Sequence, residues 1–290
     1  MSRRKSKFGL ALGGGGARGL AHIGVLKVLQ SEEIEVEGIA GVSMGAIIGA
    51  MYAYYRDALE VEEIVRKFLH SQFYRKFSKT FFLLSENPET LQEPRRIFEK
   101  LGRGYIYLKA ASKRAIFSRS VLEDTLDLLL PDISFKDLRV PFISVSSDLK
   151  SGRQIIMKSG RVRPAVIASS LIPGIVEPLE CGNLLLTDGS ATGVVPVRAA
   201  HETFLGKIIG VDVSMTLTRD VELRTAFDVA LRANEMTNHK LSELNLESAD
   251  IVIRPNVGKT NWSDFDRLEE MIRVGEVSAK KSLTLLRKSR

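Results

Sequence analysis

The chain has 290 residues, of which 44% are apolar, 27% charged and 7% aromatic, and its formal net charge is +7. This composition is typical of a folded globular protein and excludes a disordered, collagen-like or disulfide-stapled chain. The single cysteine, Cys181, cannot form an internal disulfide, which fits a reducing compartment. The four histidines are scattered and form no H-x-x-x-H pair, so we predict no zinc site.

The positive charge is concentrated at the two ends of the chain. Residues 1–7 carry four basic groups and residues 280–290 carry five, and neither segment has an acid. Elsewhere 35 acids slightly outnumber 33 bases, so the charge predicts no nucleic-acid-binding body. Basic ends usually promote solubility, and attraction to an anionic lipid surface is the alternative.

No apolar run reaches the ~20 residues of a membrane span. We expect a cytoplasmic protein, with peripheral contact at the inner membrane face left open.

Hydrophobic periodicity predicts an alternation of strands and helices from the N-terminus onward. A buried strand at 7–12 ends in four glycines and precedes a helix at 18–31, and a strand at 34–42 precedes a small, apolar helix at 44–55. This order predicts a parallel sheet with covering helices. Further strands are predicted at 140–148, 153–158, 183–187, 207–213 and 250–253, and further helices at 60–70, 119–130, 222–247 and 264–287.

Residues 66–119 differ in composition from the rest of the chain. They contain 13 Lys or Arg, only four acids, and ten of the 20 aromatic residues. We predict one domain over residues 1–290, with this segment as a cap or insertion beside the main sheet. Basic and aromatic groups together suit a cap that opens at a lipid interface, and a rigid cap that lines an acyl pocket is the alternative.

The strongest local signal is the G-x-S-x-G motif formed by Gly41, Ser43 and Gly45. A nucleophilic serine has to stand clear of the sheet on a tight strand-to-helix turn, where Cβ atoms at the flanking positions would collide. The predicted strand before the motif and the small-residue helix after it supply this context. The helix also directs its N-terminus at the site, which favours developing negative charge.

The second signal is the glycine loop, residues 13–19 (GGGGARG), between the first strand and the first helix. Successive N–H groups in such a loop can hold an oxyanion, or equally a phosphate. The loop also satisfies G-x-G-x-x-G, but a dinucleotide site requires an acid at the end of the second strand. Here Glu35 and Glu37 lie at the beginning of that strand, which argues against a dinucleotide site. No Gly-Lys-Ser/Thr occurs in the loop, so a Walker-A site is excluded as well.

A nucleophilic serine requires a base, and Asp188 is the best candidate. It follows a short apolar strand and precedes Gly189. An aspartate is a weak base in water, but it can accept the proton of a serine within a desolvated site. Asp148 and Asp212 also end predicted strands and are lesser candidates, because neither precedes a glycine turn.

Histidines offer an alternative base. His201 and His239 follow the candidate acid in the chain, so the order Ser…Asp…His of an α/β-hydrolase is formally possible, although such folds place the serine after several strands rather than two. His239 lies in a polar helix, which favours a solvated position. We predict that His22, directly after the glycine loop, has a structural role and hydrogen-bonds a backbone group near the G-x-S-x-G turn.

Four blocks of the sequence resemble motifs of the patatin-like phospholipase family, and their order and spacing agree with those of the family. Residues 14–26 (GGGARGLAHIGVL) are similar to the oxyanion-hole block, and residues 41–45 (GVSMG) to the nucleophile elbow. Residues 168–174 (ASSLIPG) are similar to the small-residue block before the acid, and Asp188-Gly189 to the acid motif. The blocks extend over most of the chain and are together more specific than any one of them.

The resemblance implies a three-layer α/β/α fold with a central, mostly parallel sheet. It implies a Ser–Asp dyad without histidine, with Ser43 as nucleophile and Asp188 as base, that hydrolyses acyl esters of phospholipids or lysophospholipids. It implies no cofactor and no metal. The other residues to which it assigns a role are the oxyanion-hole glycines Gly14, Gly15 and Gly16 and the supporting residues Arg18, Gly41, Gly45 and Gly189.

Two departures from the family pattern follow the acid. Ser190 stands where glycine or alanine is more common, and Gly193-Val194 stands where asparagines are common. The dyad is intact, so these departures concern substrate contacts and turn geometry. Two other functions stay open: a lipid-binding regulatory pseudoenzyme, and a nucleotide- or phosphate-binding protein that uses the glycine loop.

Overall fold

The structure is a computed structural model that describes residues 7–76, 78, 114–215, 217, 223 and 226–288. Within these ranges, eight strands form one sheet. They are β1 (Lys7–Leu12), β2 (Glu35–Gly41), β3 (Phe142–Asp148), β4 (Gln154–Met157), β5 (Leu179–Cys181), β6 (Leu184–Asp188), β7 (Lys207–Val211) and β8 (Ile251–Ile253).

The helices that build the core and the site lie between and after these strands. They are α1 (Ala21–Ser31), α2 (Met44–Tyr55), α3 (Ala58–Leu69), α4 (Ser120–Leu129), α5 (Val162–Ser169), α6 (Val197–Thr203), α7 (Ala226–Leu246) and α8 (Leu268–Lys288). Short 3₁₀ turns at Gly16–Leu20 and Gly189–Ala191 follow β1 and β6. Each of these turns therefore lies where a functional motif was predicted.

The sheet has a parallel half and an antiparallel half. Neighbouring strands follow the order β5-β6-β3-β2-β1-β7-β8, and β4 also pairs with β3. The strands β3, β2, β1, β7 and β8 run parallel to one another. In contrast, β4 and β6 run antiparallel to β3, and β5 runs antiparallel to β6. The carboxyl ends of the parallel strands share one edge, which is where sites form in such sheets.

The pairing of β3 brings two strand ends together. Ser144 pairs with Gly41 of β2, and Ser146, two residues further on, pairs with Asp188 of β6. Both residues also pair with β4, which occupies one side of β3 along this stretch. The strands β2 and β6 must therefore share the other side. Because β2 is parallel and β6 antiparallel to β3, their carboxyl ends point toward each other.

Two buried clusters lie on opposite faces of the sheet. Leu10 and Leu12 of β1 belong to a large cluster with residues of α1, α2, α3, α4, α5 and α8. Ala11, between them, points the other way and belongs to a smaller cluster with α6 and with Leu246 at the end of α7. This alternation follows from the two-residue period of a strand. Helices on both faces give the three-layer architecture.

The predicted strands and helices within the described ranges are confirmed. Sequence patterns missed three short elements, β5, α5 and α6, because none of them is long enough to show a clear hydrophobic period. The expected three-layer fold with a mostly parallel sheet is confirmed, because five of the eight described strands run parallel, and only β4, β5 and β6 make antiparallel pairs. Most of the predicted cap at 66–119 lies outside the described residues. Among the described helices, none combines the length and apolarity required to cross a membrane.

Candidate active site

The turn between β2 and α2 holds Ser43 in a conformation that non-glycine residues rarely adopt. Its φ is 53° and its ψ −123°, and the residue is 9% exposed. A Cβ added at Gly41 would lie 2.5 Å from Cα of Ala46, and one added at Gly45 would lie 2.2 Å from the carbonyl oxygen of Leu12. Both flanking positions therefore require glycine, and the surrounding packing maintains the strained turn.

The end of α5 anchors this turn through a buried serine. The backbone N–H of Ser43 lies 3.0 Å from Oγ and 3.1 Å from the carbonyl oxygen of Ser169. The Ser169 hydroxyl donates onward to the carbonyl oxygen of Val145 in β3, at 2.5 Å. The Ser169 hydroxyl therefore links the Ser43 turn to the central strand β3, because it accepts one hydrogen bond and donates another.

The structure brings Asp188 to Ser43. Asp188 ends β6, is 1% exposed and donates its backbone N–H to the carbonyl oxygen of Leu171 at 2.9 Å. Its Oδ1 accepts the backbone N–H of Ser190 at 2.9 Å. The side chain of Ser43 lies close enough to the carboxylate to lower its pKa. Ser43 and Asp188, which are separated in the sequence by β3, β4 and β5, are therefore side by side in the fold.

The environment of Asp188 alters its acidity in two opposing ways. Burial raises the pKa of the carboxyl, because a desolvated carboxylate loses the hydration that stabilises its charge. The hydrogen bond from the N–H of Ser190 and the proximity of the hydroxyls of Ser43 and Ser190 lower it. Burial dominates, so the pKa lies above its ordinary value, and the carboxylate is a stronger base than in water.

The glycine loop lies directly against the elbow. A Cβ added at Gly14 would lie 3.2 Å from Cβ of Ser43, so the loop backbone approaches the serine as closely as glycine allows. The N–H of Gly13 donates to the carbonyl oxygen of Val211, and the N–H of Gly14 to that of Val194, each at 3.0 Å. The Gly14 amide, one of three expected to hold an oxyanion, is therefore already engaged by another group.

The next two amides of the loop are differently placed. Among the described residues, the N–H groups of Gly15 and Gly16 donate to no acceptor. Gly16 has a φ of 57°, and a Cβ there would lie 2.3 Å from the carbonyl oxygen of Trp262. That carbonyl accepts the N–H of Ala17 at 2.7 Å, and Nε of Arg18 donates to the carbonyl oxygen of Gly15 at 3.1 Å. These two hydrogen bonds hold the loop backbone on both sides of the free N–H groups of Gly15 and Gly16.

Arg18 is the half-buried cation of this region. Burial lowers the pKa of its guanidinium, whereas the nearby carboxylates of Glu235, Asp212 and Asp264 raise it. An arginine keeps its charge under such conditions. Its Nε bond to the loop matches the supporting role that the resemblance implies.

His22 lies beneath the glycine loop and is completely buried. Its Nε2 is 2.8 Å from the carbonyl oxygen of Gly13, which can only accept, so Nε2 carries the hydrogen. Its Nδ1 has no hydrogen-bond partner among the described residues. Burial lowers the pKa of the imidazole to about 4, so His22 is neutral at physiological pH. The predicted bond to a backbone group near the elbow is present.

The two lesser carboxylate candidates have structural partners instead. Asp148 accepts the Ser151 hydroxyl at 2.5 Å and the N–H of Leu185 at 2.9 Å, and these bonds lower its pKa to about 2. Asp212 accepts the Ser242 hydroxyl at 3.1 Å. Asp148 therefore closes the turn after β3, and neither carboxylate lies beside a candidate nucleophile.

The two histidines of the alternative triad lie on α6 and α7. Nε2 of His201 is 2.8 Å from the carbonyl oxygen of Ser248, and His239 lies 3.8 Å from a carboxylate oxygen of Glu243. In the part of the chain that the structure describes, neither contacts Asp188. Within the same ranges, no three His, Cys, Asp or Glu side chains gather into a group that could hold a metal ion.

Sequence reasoning missed the roles of Ser169 and Leu171. Both lie in the block 168–174, which the motif comparison selected, but its pattern does not reveal that one residue holds the elbow and the other the acid. The hydroxyl of Thr187 also donates to the carbonyl oxygen of Leu171, at 2.7 Å. This block is therefore the physical link between the two halves of the site.

The fold and the site together define a class of proteins. It is a three-layer α/β/α protein in which a strained serine at a strand-to-helix turn lies beside a buried aspartate and a glycine loop. Residues 10–201 match the patatin-like phospholipase family, and the chain belongs to it.

Relatives in sequence include proteins from animals and bacteria. The chain is 29% identical over 212 residues to the neuropathy target esterase sws of Drosophila melanogaster, covering 72% of this chain and 13% of the relative. It is 26% identical over 300 residues to an uncharacterized NTE family protein of Mycobacterium tuberculosis, covering 95% of this chain and 46% of the relative. The chain thus spans less than half the length of these curated relatives.

A solved structure has the same fold. VipD from Legionella pneumophila superimposes with a TM-score of 0.50 at 11% sequence identity, over 97% of this chain and 67% of that one. At this identity the similarity concerns the architecture alone.

Proposed function

We propose that the protein is a serine acyl hydrolase that cleaves acyl esters of lipids through Ser43 and Asp188. The observation that carries the proposal is the contact between the strained, nearly buried Ser43 and the desolvated carboxylate of Asp188. A backbone strained at one serine, with a base of raised pKa beside it, is the arrangement that an activated nucleophile requires. Membership of the patatin-like phospholipase family supports the lipid substrate.

The reaction begins when the Asp188 carboxylate takes the proton of the Ser43 hydroxyl. Oγ of Ser43 then forms a bond to the ester carbonyl carbon, and the carbonyl oxygen becomes an oxyanion. When the tetrahedral intermediate collapses, the bond to the alcohol breaks, and the alcohol leaves with the proton from Asp188. Water attacks the acyl-enzyme in the same way, with Asp188 again as the base, which releases the fatty acid and restores Ser43.

The oxyanion is held by the glycine loop. The N–H groups of Gly15 and Gly16 are the donors that we assign first, because they donate to no other described residue. A contribution from Gly14 requires its N–H to leave the carbonyl of Val194. Preorganised backbone donors of this kind stabilise the transition state without reorganisation, and each is worth about 10²–10³ in kcat.

The substrate proposed here is a phospholipid or lysophospholipid at a membrane surface. The basic and aromatic composition of residues 66–119 and the basic chain ends support an approach to anionic lipid. A cytoplasmic enzyme with peripheral contact at the inner membrane face remains our proposal for its location. The catalytic cycle above requires no metal or cofactor, because the carboxylate and the loop amides supply the base and the electrophilic stabilisation.

The test uses three variants of the full chain, assayed with phospholipid, lysophospholipid and short p-nitrophenyl esters. Ser43→Ala and Asp188→Asn should each lose at least ~10²-fold in kcat/KM, the contribution of a nucleophile or general base. A fluorophosphonate should label the wild type at Ser43, as located by mass spectrometry. Asp148→Asn is the matched control, because it removes a carboxylate at the end of a neighbouring strand, and it should keep its activity.

Asp188→Asn should also remain folded. A group whose pKa is raised by folding destabilises the native state as pH rises through that pKa, so replacing the buried carboxylate should leave the melting temperature at pH 7 unchanged or higher. Full activity of Ser43→Ala would refute the proposal. Vesicle binding without ester hydrolysis by the wild type would favour the pseudoenzyme, and nucleotide binding that is independent of Ser43 would favour a phosphate-binding protein.

A further inference from the structure

His22 is a buried polar side chain that the mechanism above does not use. It is 0% exposed, and its Nε2 donates to the carbonyl oxygen of Gly13 at 2.8 Å. Its Nδ1 has no hydrogen-bond partner among the described residues. Because a buried nitrogen without a partner costs stability, packing alone does not account for an imidazole at this position. The chemical contribution of His22 is therefore the single N–H that it donates to Gly13.

This bond is one half of a clamp on the peptide group between Gly13 and Gly14. The carbonyl of this peptide group accepts from His22, and its N–H donates to the carbonyl oxygen of Val194 at 3.0 Å. A trans peptide group is planar, and its C=O and N–H point in opposite directions, so the two bonds hold the plane from opposite sides. Without the bond from His22, the plane could turn, because the glycines on either side have no Cβ to restrict its rotation.

The clamped peptide group precedes the two N–H groups that we assign to the oxyanion. The N–H groups of Gly15 and Gly16 belong to the next two peptide groups of the loop. On the far side of these groups, the N–H of Ala17 donates to the carbonyl oxygen of Trp262 at 2.7 Å. The bond from His22 holds the near side. The orientation of the two free N–H groups therefore depends on the clamp as much as on the Trp262 carbonyl.

The 3₁₀ turn before α1 packs His22 and the nucleophile turn against the same piece of backbone. A Cβ added at Gly19 would lie 2.4 Å from Cγ of Met44, the residue after Ser43, and 3.7 Å from Cδ2 of His22. The chain that leads into α1 thus lies directly against the first residue of α2, with the imidazole beside it. Through its bond to Gly13, His22 therefore holds the glycine loop to the unit that carries Ser43.

We propose that His22 is a positioning residue that fixes the clamped peptide group and thereby the distance between Ser43 and the free N–H groups of the glycine loop. The inference rests on the proposed function and deepens it, because it names the side chain that orients the oxyanion-binding groups. In the described part of the chain, His22 donates to neither Ser43 nor Asp188, so it takes no part in the proton transfer.

The experiment measures kcat and KM separately for ester hydrolysis by the wild type, His22→Phe and His22→Gln. The oxyanion exists only after Ser43 attacks, so misplaced donors weaken the transition state and leave the bound substrate unaffected. His22→Phe keeps a ring but lacks the donor, and its kcat should fall by about ten- to hundredfold, with KM within about twofold of the wild type. His22→Gln retains an N–H donor and should recover kcat to within about threefold.

Leu29→Ala is the control for a purely structural role. Leu29 lies two turns further along the same face of α1 and is also 0% exposed, so its loss should lower the stability but leave the kcat of the folded protein unchanged. If His22→Phe does not fold, His22→Leu takes its place. A wild-type kcat without the donor, an equal loss of kcat in His22→Gln, or an equal loss in Leu29→Ala would each overturn the inference.

A second measurement makes the test independent of turnover. Hydrogen exchange of the glycine amides is followed by NMR in the ¹⁵N-labelled wild type and in His22→Phe. The Gly14 amide should exchange at least about tenfold faster in His22→Phe, since its peptide group has lost one of two bonds. The Gly45 amide, which donates to the carbonyl oxygen of Val42, should keep its rate. Unchanged exchange at Gly14 overturns the role of His22, whereas faster exchange in a protein without esterase activity keeps that role and refutes the proposed function alone.

Discussion

The two halves of the sheet contribute differently to the candidate site. The parallel half carries the elbow after β2 and the glycine loop after β1, each as a continuous motif of a few residues. The antiparallel half contributes a single carboxylate, Asp188, which reaches the site because β6 runs against β3. One half therefore supplies local turn geometry, whereas the other supplies one side chain through strand pairing over a long sequence separation.

This difference determines which substitutions the site should tolerate. A nucleophile on a strained turn depends on the backbone atoms packed around it, whereas a carboxylate at a strand end depends on the register of that strand. Residues 169–171 join the halves, because they hold the N–H of Ser43 and the N–H of Asp188. Variants in each half test whether the two halves are equally rigid, and a variant at Ser169 tests whether this link is required.

The largest effects are expected for alanine at two closely packed glycines, one in each half. A Cβ would lie 2.2 Å from the carbonyl oxygen of Leu12 in Gly45→Ala, and 2.2 Å from that of Val145 in Gly189→Ala. Since both collisions are with backbone, each variant should lose about 3 kcal/mol or more in the free energy of unfolding, together with its esterase activity. Urea denaturation and an ester assay measure both quantities.

Gly193→Ala is the matched control for these two variants. It is also buried, but its nearest contact is the side-chain amide of Asn245 at 3.0 Å, which can move. It should therefore fold with nearly the stability of the wild type. If Gly189→Ala is tolerated while Gly45→Ala is not, the antiparallel half is the less tightly packed of the two, and the expectation that both substitutions are strongly destabilising is wrong.

The next effect is a difference in acid sensitivity between the halves. Folding lowers the pKa of His22, beneath the parallel half, from 6.5 to about 4, so the stability that its neutral form provides is complete above pH 6.5 and is lost as pH falls toward 4. The loss should be on the order of 3 kcal/mol. Asp148, at the end of β3 where it pairs with the antiparallel strand β6, has a pKa lowered to about 2, so its contribution is lost only as pH falls below 3.8.

Unfolding free energies measured across the pH range check both windows. His22→Gln should flatten the pH dependence between 6.5 and 4, and Asp148→Asn should flatten it only below about 3.8. A wild-type protein whose stability is constant from pH 6.5 to 4 would contradict the neutral, buried state of His22.

The smallest effect is expected for Ser169→Ala, which weakens the link between the halves. The N–H of Ser43 retains the Ser169 carbonyl as an acceptor, so the elbow should form but be less well held. We expect a fall of about tenfold in kcat with little change in KM, and a loss of about 1–2 kcal/mol in stability. Ser170→Ala is the control, because its hydroxyl bonds Val166 within α5, and it should keep the wild-type kcat.

Much of the site could be predicted from the sequence because its motifs are local. The G-x-S-x-G turn and the glycine loop each need particular residue types within a few positions, so the pattern itself indicates the geometry. The antiparallel pairing of β6 could not be predicted in this way, because the register of a strand depends on distant partners. Nor could the engagement of the Gly14 amide, which depends on where the carbonyl of Val194 lies in the fold.

The sequence alone indicated Ser43 as the candidate nucleophile, Asp188 as the candidate base and the glycines that the tight turns around them require. The tertiary structure decided that the two side chains meet, because β2 and β6 end head to head along one side of β3. It also decided the acidity of Asp188, since the burial that raises its pKa arises only when separate elements pack together.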